Sequence, residues 1–138
     1  MVSTHTLRVK TRGHTDILNL TDEVARLVQS SAVANGIVNV FVPGSTAALT
    51  TVEYEDGLIA DLRALFERLA PEHADYQHNA RWHDGNGYAH VRSAFVGPSL
   101  AIPFVQHEML LGTWQQIVLV DFDNRARTRE VIVQIVGD

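Results

Sequence analysis

Hydrophobic and polar positions fall into two periodicities along the chain. Residues 3–10, "STHTLRVK", are rich in Thr and Val and alternate loosely, which predicts a first strand ending at Arg12-Gly13. In "LTDEVARLVQSSAV", Val24, Leu27 and Val28 share one helical face, Thr21 stands as N-cap, and Asp22 and Glu23 sit in the first turn, where the helix dipole favours them. Asn35-Gly36 marks the stop of that helix. "IVNVFV" (37–42) is an almost unbroken apolar run and predicts a strand covered on both faces. "ALTTVEY" (48–54) follows the turn "PGST" as a further strand, ended by Asp56-Gly57. In "LIADLRALFERLAP", Leu58, Leu62, Leu65, Phe66 and Leu69 recur at helical spacing, and Pro71 closes this second helix.

Residues 71–90 are polar and irregular, and so long a loop in a compact domain is usually functional or disordered. Beyond it, "AHVRSAF" reads as a short helical turn. Strands follow at "SLAIPFV", "WQQIVLVDFD" and "REVIVQIV", joined by the turns "QHEM" and "NRART". The predicted architecture is α+β: a mostly antiparallel β-sandwich or partly open barrel with two helices packed on it, in one domain over 1–138. Runs such as "IVLV" and "VIVQIV" ask for cover on both sheet faces, more than two helices supply, so neighbouring subunits are expected to provide some of it.

Composition narrows the function classes. Apolar residues make up 46% and charged residues 20% of the 138, as in ordinary globular proteins. The net charge of -5, with no Lys/Arg-rich run, lacks the footprint of a nucleic-acid binder. With no cysteine there are no disulfides, thiolate nucleophiles or Cys-containing zinc sites. "MVSTHTLRVKTRG" has no apolar signal core and no run approaches membrane-spanning length, so a cytosolic setting without membrane partners is expected.

Candidate chemistry gathers in three stretches. "RWHDGNGYAH" (81–90) turns sharply at Gly85 and Gly87 and carries His83, Asp84, Asn86 and His90. With His78 it places three imidazoles, His78, His83 and His90, in one polar segment, and imidazole suits zinc and similar metals. Their spacings match no tight metal motif, and solvated histidines around an Asp-Gly turn are the equal alternative. "PGSTAALTTVEYE" (43–55) offers the Ser45 and Thr46 hydroxyls and close backbone N–H groups to a phosphate, although it lacks the Gly-Lys-Ser/Thr of a P-loop; the alternative is a capped turn. Glu53, on the strand that follows, could act as a base or metal ligand or simply stand exposed. In "LLGTWQQIVLVDFD", Trp114 and Gln115 point to opposite faces of a regular strand, so one could line a pocket while the other packs.

In this order, the three stretches resemble the secondary thiamine-phosphate synthase family. The resemblance is carried by "SLAIPFVQHEMLLGTWQQIVLVDFD", "STAALTTVEYED" and "GNGYAHVRSAFVGPSL", and continues to "VQIVGD". It implies a compact β-rich fold assembled as a homotrimer with sites near subunit boundaries. It also implies an activity joining hydroxymethylpyrimidine pyrophosphate to a thiazole phosphate, as a main or a side reaction. Carried over by position, it points to Glu53, His90 and Gln115 as catalytic residues, to Ser45, Thr46 and Trp114 around a small phosphorylated substrate, and to His78 and His90 around a divalent zinc or magnesium ion; Asn86 joins the substrate set and His83 the metal set by their proximity in the same loop. The alternative is a non-catalytic trimeric metal- or phosphometabolite-binding protein built from the same residues. Many family members carry a histidine directly before the hydroxyl pair, where this chain has Gly44.

Overall fold

The structure is a computed structural model describing residues 1–138. In chain order it contains β1 (Val2–Thr11), β2 (Asp16–Asn19), α1 (Thr21–Gln29), β3 (Gly36–Phe41), β4 (Ala47–Glu53), α2 (Asp56–Leu69), α3 (Gln77–Trp82), α4 (Gly87–Val96), β5 (Ser99–Val105), β6 (Glu108–Met109), β7 (Gln115–Asp121) and β8 (Arg127–Gly137). The strands form a five-stranded sheet, β1-β8-β3-β5-β6, and a three-stranded sheet, β2-β7-β4. Every pairing is antiparallel. The α+β class with mostly antiparallel strands is as expected, with four helices where two were expected.

Strand β7 is the seam. Its side chains alternate between two cores, as pleating requires. Ile117 and Leu119 meet Val38, Val40, Val131, Val133 and Ile135 of the five-stranded sheet and Val24 and Val28 of α1. Val118 and Val120 face the other way, against Ile17, Ala48, Phe66 of α2, and Tyr88 and Ala89 of α4. The unbroken apolar run of β7 is therefore a strand covered on both faces.

The similar run in β3 is not. Val38 and Val40 are buried, but Ile37 and Phe41 are 51% and 38% exposed, because no further layer of the chain lies over the outer face of the five-stranded sheet. Cross-strand pairing sets Val2, Val136, Ile37 and Pro103 in one row on that face.

Three local expectations change. Asp56-Gly57 does not end a strand; it opens α2, whose first turn is capped by the Glu55 carboxylate accepting from Leu58 N–H at 3.0 Å. Thr21 is not the N-cap residue. Leu20 holds that position, and the Thr21 hydroxyl instead donates to Asn19 Oδ1 and accepts from Ile117 N–H, tying α1 to β7. Half of the supposed loop 71–90 is helical, in α3 and the start of α4. Gly87 read as a turn former, yet it starts α4 because of packing: a Cβ there would stand 2.7 Å from Tyr76 Cβ, and its N–H donates to Asn79 Oδ1 at 2.8 Å. Tertiary contact, not helical propensity, sets that boundary. No helix is long and apolar enough to cross a membrane.

Candidate functional site

Helix α3 ends at His83, whose backbone is left-handed at φ 56°, and Gly85 at φ 65° completes a tight reversal into α4. The reversal lays α3 beside α4. The rings of His78 and His90 lie with centroids 4.2 Å apart and planes tilted by 34°. Asp84, inside the turn, brings its Oδ1 within 3.4 Å of His78 Nδ1. Ligand atoms of His78, Asp84 and His90 all lie within 4.8 Å of one another.

Two features mark these imidazoles as available. His78 Nδ1 is buried and makes no hydrogen bond, its approach to Asp84 having the wrong alignment for one. Burial, helped by the neighbouring His78, lowers the pKa of His90 from its ordinary value of 6.5, outweighing the opposite pull of Asp84 and Asp123. His90 is thus held neutral, the form that coordinates metals.

Behind the cluster lies a buried ionic network. Asp123 Oδ2 accepts from the Thr46 hydroxyl (2.9 Å), Asn86 Nδ2 (3.3 Å) and Arg127 Nε (3.2 Å). Burial alone would raise the Asp123 pKa, but these hydrogen bonds and the Arg127 charge bring it below the ordinary carboxylate value. Asp121 takes Arg129 through both carboxylate oxygens, Nε at 2.7 Å and Nη2 at 2.9 Å, and also accepts from Thr11. Arg129 Nη2 further donates to Thr46 Oγ1 at 2.7 Å. The remaining nitrogen, Nη1, makes no bond within the protein and faces Gly44, where a Cβ would stand 3.2 Å from it.

Of the residues expected at a site, His78, His90 and Asn86 come to this end of the molecule, with Thr46 beneath them and Ser45 exposed beside it. Asp84, not the exposed His83, completes the three-residue cluster. The Thr46 hydroxyl is fully engaged within the network.

Glu53, Trp114 and Gln115 lie elsewhere. Glu53 pairs with Gln115 across β4 and β7, at the end of β4 remote from Thr46, and seven strand residues separate the two by roughly 20 Å. Within one chain Glu53 does not meet His90. Instead, Glu53, Tyr54, Glu55, Asp56, Trp114 and Gln116 line an open cleft of about 660 Å³. Gln115 is spent locally, donating to the Thr51 hydroxyl and accepting from Gly112 N–H.

The reading of the sequence missed Asp121, Asp123, Arg127 and Arg129. Their signal was present: "DFD" and "RTR" place two acids and two bases at the same period of two, on strands that the fold brings together.

The fold and site define a small antiparallel α+β protein with a two-histidine, one-carboxylate cluster set against a buried Arg–Asp network. Residues 5–138 match the family model described as UPF0047 protein YjbQ-like, and the chain belongs to that family. It is similar to the UPF0047 protein of Archaeoglobus fulgidus, with 38% identity over 128 residues, covering 93% of this chain and 97% of that one. The UPF0047 protein of Methanothermobacter thermautotrophicus is 35% identical over 136 residues, covering 99% and 93%. A crystal structure of a YbjQ-like protein of unknown function from Sulfolobus solfataricus superposes with a TM-score of 0.94 at 31% identity, covering 100% of this chain and 99% of that one. These matches correct the resemblance drawn from sequence: the family is UPF0047, and none of these relatives is described as a thiamine-phosphate synthase.

Proposed function

We propose that this UPF0047 chain holds one divalent metal ion on His78, Asp84 and His90 and takes the anionic group of a small phosphorylated molecule beside it, against Arg129 Nη1 and the Ser45 hydroxyl. The observation that carries this reading is the convergence of three ligand atoms within 4.8 Å, one of them a buried imidazole nitrogen with no hydrogen bond. Two imidazoles and a carboxylate suit zinc better than magnesium, which prefers an all-oxygen shell. Three protein ligands leave a coordination position open to a small molecule.

Holding is better supported than turnover by the chain's own residues. A general base near the metal would need an uncommitted acceptor, and Asp121, Asp123 and Thr46 are all engaged in the network. The uncommitted Glu53 stands at the far end of the sheet. Catalysis is therefore the second reading, and it requires an assembly in which a neighbouring copy brings Glu53 to the cluster. The exposed row Val2, Val136, Ile37 and Pro103 supports such an assembly, which we propose to be a homotrimer.

Zinc analysis of chelator-stripped, reloaded and desalted protein tests the metal. The wild type is expected to retain one zinc per chain and His78→Ala/His90→Ala none; equal retention refutes the site. Light scattering tests the assembly, where three times the chain mass supports the trimer and a monodisperse monomer at micromolar concentration refutes it.

A further inference from the structure

The outer edges of the two sheets are treated unequally. Strand β6 ends the five-stranded sheet with two residues, and β2 ends the three-stranded sheet with four. On β4, the Leu49 N–H is already taken by Gly97 C=O. Strand β1 is the exception: it runs for ten residues, pairs with β8 on one side and has no strand on the other. An open edge of that length is a template for another strand, and native folds shorten, bulge or cover such edges. Here the pairing with β8 advances one residue for one from Val2 to Thr11 without a bulge, and no proline interrupts it.

The register states which backbone groups are free. Met1 and Gly137 exchange both backbone hydrogen bonds, so the odd-numbered residues of β1 bond to β8. On the opposite edge of β8, Asp138 exchanges both bonds with Asn35 beside β3, the alternation that this parity requires. The N–H and C=O groups of Val2, Thr4, Thr6, Arg8 and Lys10 therefore point away from the sheet, and none of them bonds elsewhere in the chain. The side chains of the same five residues are exposed. Leu7 and Val9, turned inward against the main core, are only half-buried.

We propose that this edge is a docking surface for a second copy of the chain, whose own β1 pairs with it antiparallel about a twofold axis at Thr6. In that register Thr6 meets Thr6, Thr4 meets Arg8 and Val2 meets Lys10. Even positions meet only even positions, so every outward N–H and C=O on both copies finds a partner. Charge selects the direction. The two cations stand at one end of the strand, and antiparallel pairing holds them at opposite ends, whereas a parallel pair in register would set Lys10 against Lys10. Arg8 is also balanced within its own chain by Glu130 at 3.1 Å. On the inner face, the partner's His5 and the partner's Ser3 come over Leu7 and Val9, supplying cover that the single chain lacks. The contact uses the strand edge, so the outer-face row of Val2, Val136, Ile37 and Pro103 stays available. The pairing is independent of the metal-site reading: joined to the threefold assembly it gives six chains with D3 symmetry, and by itself it gives two.

Cysteine cross-linking of the full chain, which has no cysteine of its own, tests the register. Thr6→Cys should form a disulfide dimer on mild oxidation, since opposed Cα atoms in a hydrogen-bonded pair lie about 5.5 Å apart, within disulfide reach. Thr4→Cys should not, because four strand positions, about 13 Å, separate Thr4 from its copy. Thr6→Pro deletes the N–H at the axis, which within one chain bonds to nothing. Its circular dichroism should match wild type while its mass by light scattering falls by half, from six chains to three if the trimer also forms and from two to one if it does not. The pairing and the trimer thus fail separately. The proposal is overturned by an odd number of chains in the wild type, which leaves the edge to a strand of another protein. It is equally overturned by Thr6→Cys cross-linking no faster than Thr4→Cys, or by folded Thr6→Pro keeping the wild-type mass. Should Thr6→Pro not fold, the two cysteine variants decide alone.

Discussion

The two ends of β7 carry comparable numbers of polar residues and treat them in opposite ways. At the Asp121 end, both carboxylates are fully buried and every oxygen has a partner, with Arg129 and Arg127 supplying the balancing charge. At the Gln115 end, Asp22, Glu53, Glu55 and Asp56 border an open cleft beside Trp114, which is 72% exposed. Charge in the first place is committed to geometry: it fixes Asn86, and through Asn86 the turn that carries Asp84 between His78 and His90. Charge in the second is solvated and contributes little to holding the fold, Glu55 apart, whose carboxylate caps α2. Polar density alone therefore does not distinguish a rigid site from a wet surface; the distinction is whether each group's partner lies within the protein or in water.

The strongest way to break that contrast is Asp123→Ala. It strands Arg127, Thr46 and Asn86 without their shared acceptor, and urea unfolding should register a loss of about 3–5 kcal/mol, the cost of opening a buried ion pair from one side. The same carboxylate predicts an acid response of definite sign. Its folded pKa lies below its unfolded one, so its contribution is complete above the ordinary carboxylate range and is lost as pH falls through the folded value. Stability measured against pH should accordingly fall less steeply in acid for Asp123→Asn than for the wild type; parallel curves would show that another group governs acid unfolding.

At the other end, Glu53→Gln should leave urea stability within about 0.5 kcal/mol of wild type, as for an exposed side chain with no partner to strand. A larger loss would place Glu53 among the structural charges. If stability is kept and binding of a phosphorylated ligand falls in the assembled protein, a neighbouring copy's Glu53 reaches the histidine cluster.

Much of this was legible in the sequence, for identifiable reasons. Long, strongly periodic segments declared themselves: Leu58, Leu62, Leu65, Phe66 and Leu69 trace α2, and "SLAIPFV" is β5 residue for residue. Helix α4 did not, because its first turn depends on Gly87 fitting against Tyr76, a long-range contact that local propensity does not encode. His78 and His90 were legible as chemistry by residue type, whereas choosing Asp84 over His83 required the left-handed turn at His83 itself. The Arg–Asp network was hidden by its ordinary appearance, since charges at alternate strand positions usually face water. Only the placement of β7 and β8 in different sheets, joined by the turn at Asn124, folds those charges inward together.

Because β7 is hydrogen-bonded on both edges and buried on both faces, its register admits one solution. A slip of a single residue against β4 would send Ile117 and Leu119 into the space cut for Val118 and Val120, and the reverse. It would also draw Asp121 off Arg129 and Gln115 off Glu53 in the same movement. The two ends of the molecule are thus set to one another like the ends of a key in its lock, and neither can be displaced along the strand while the other stays in place.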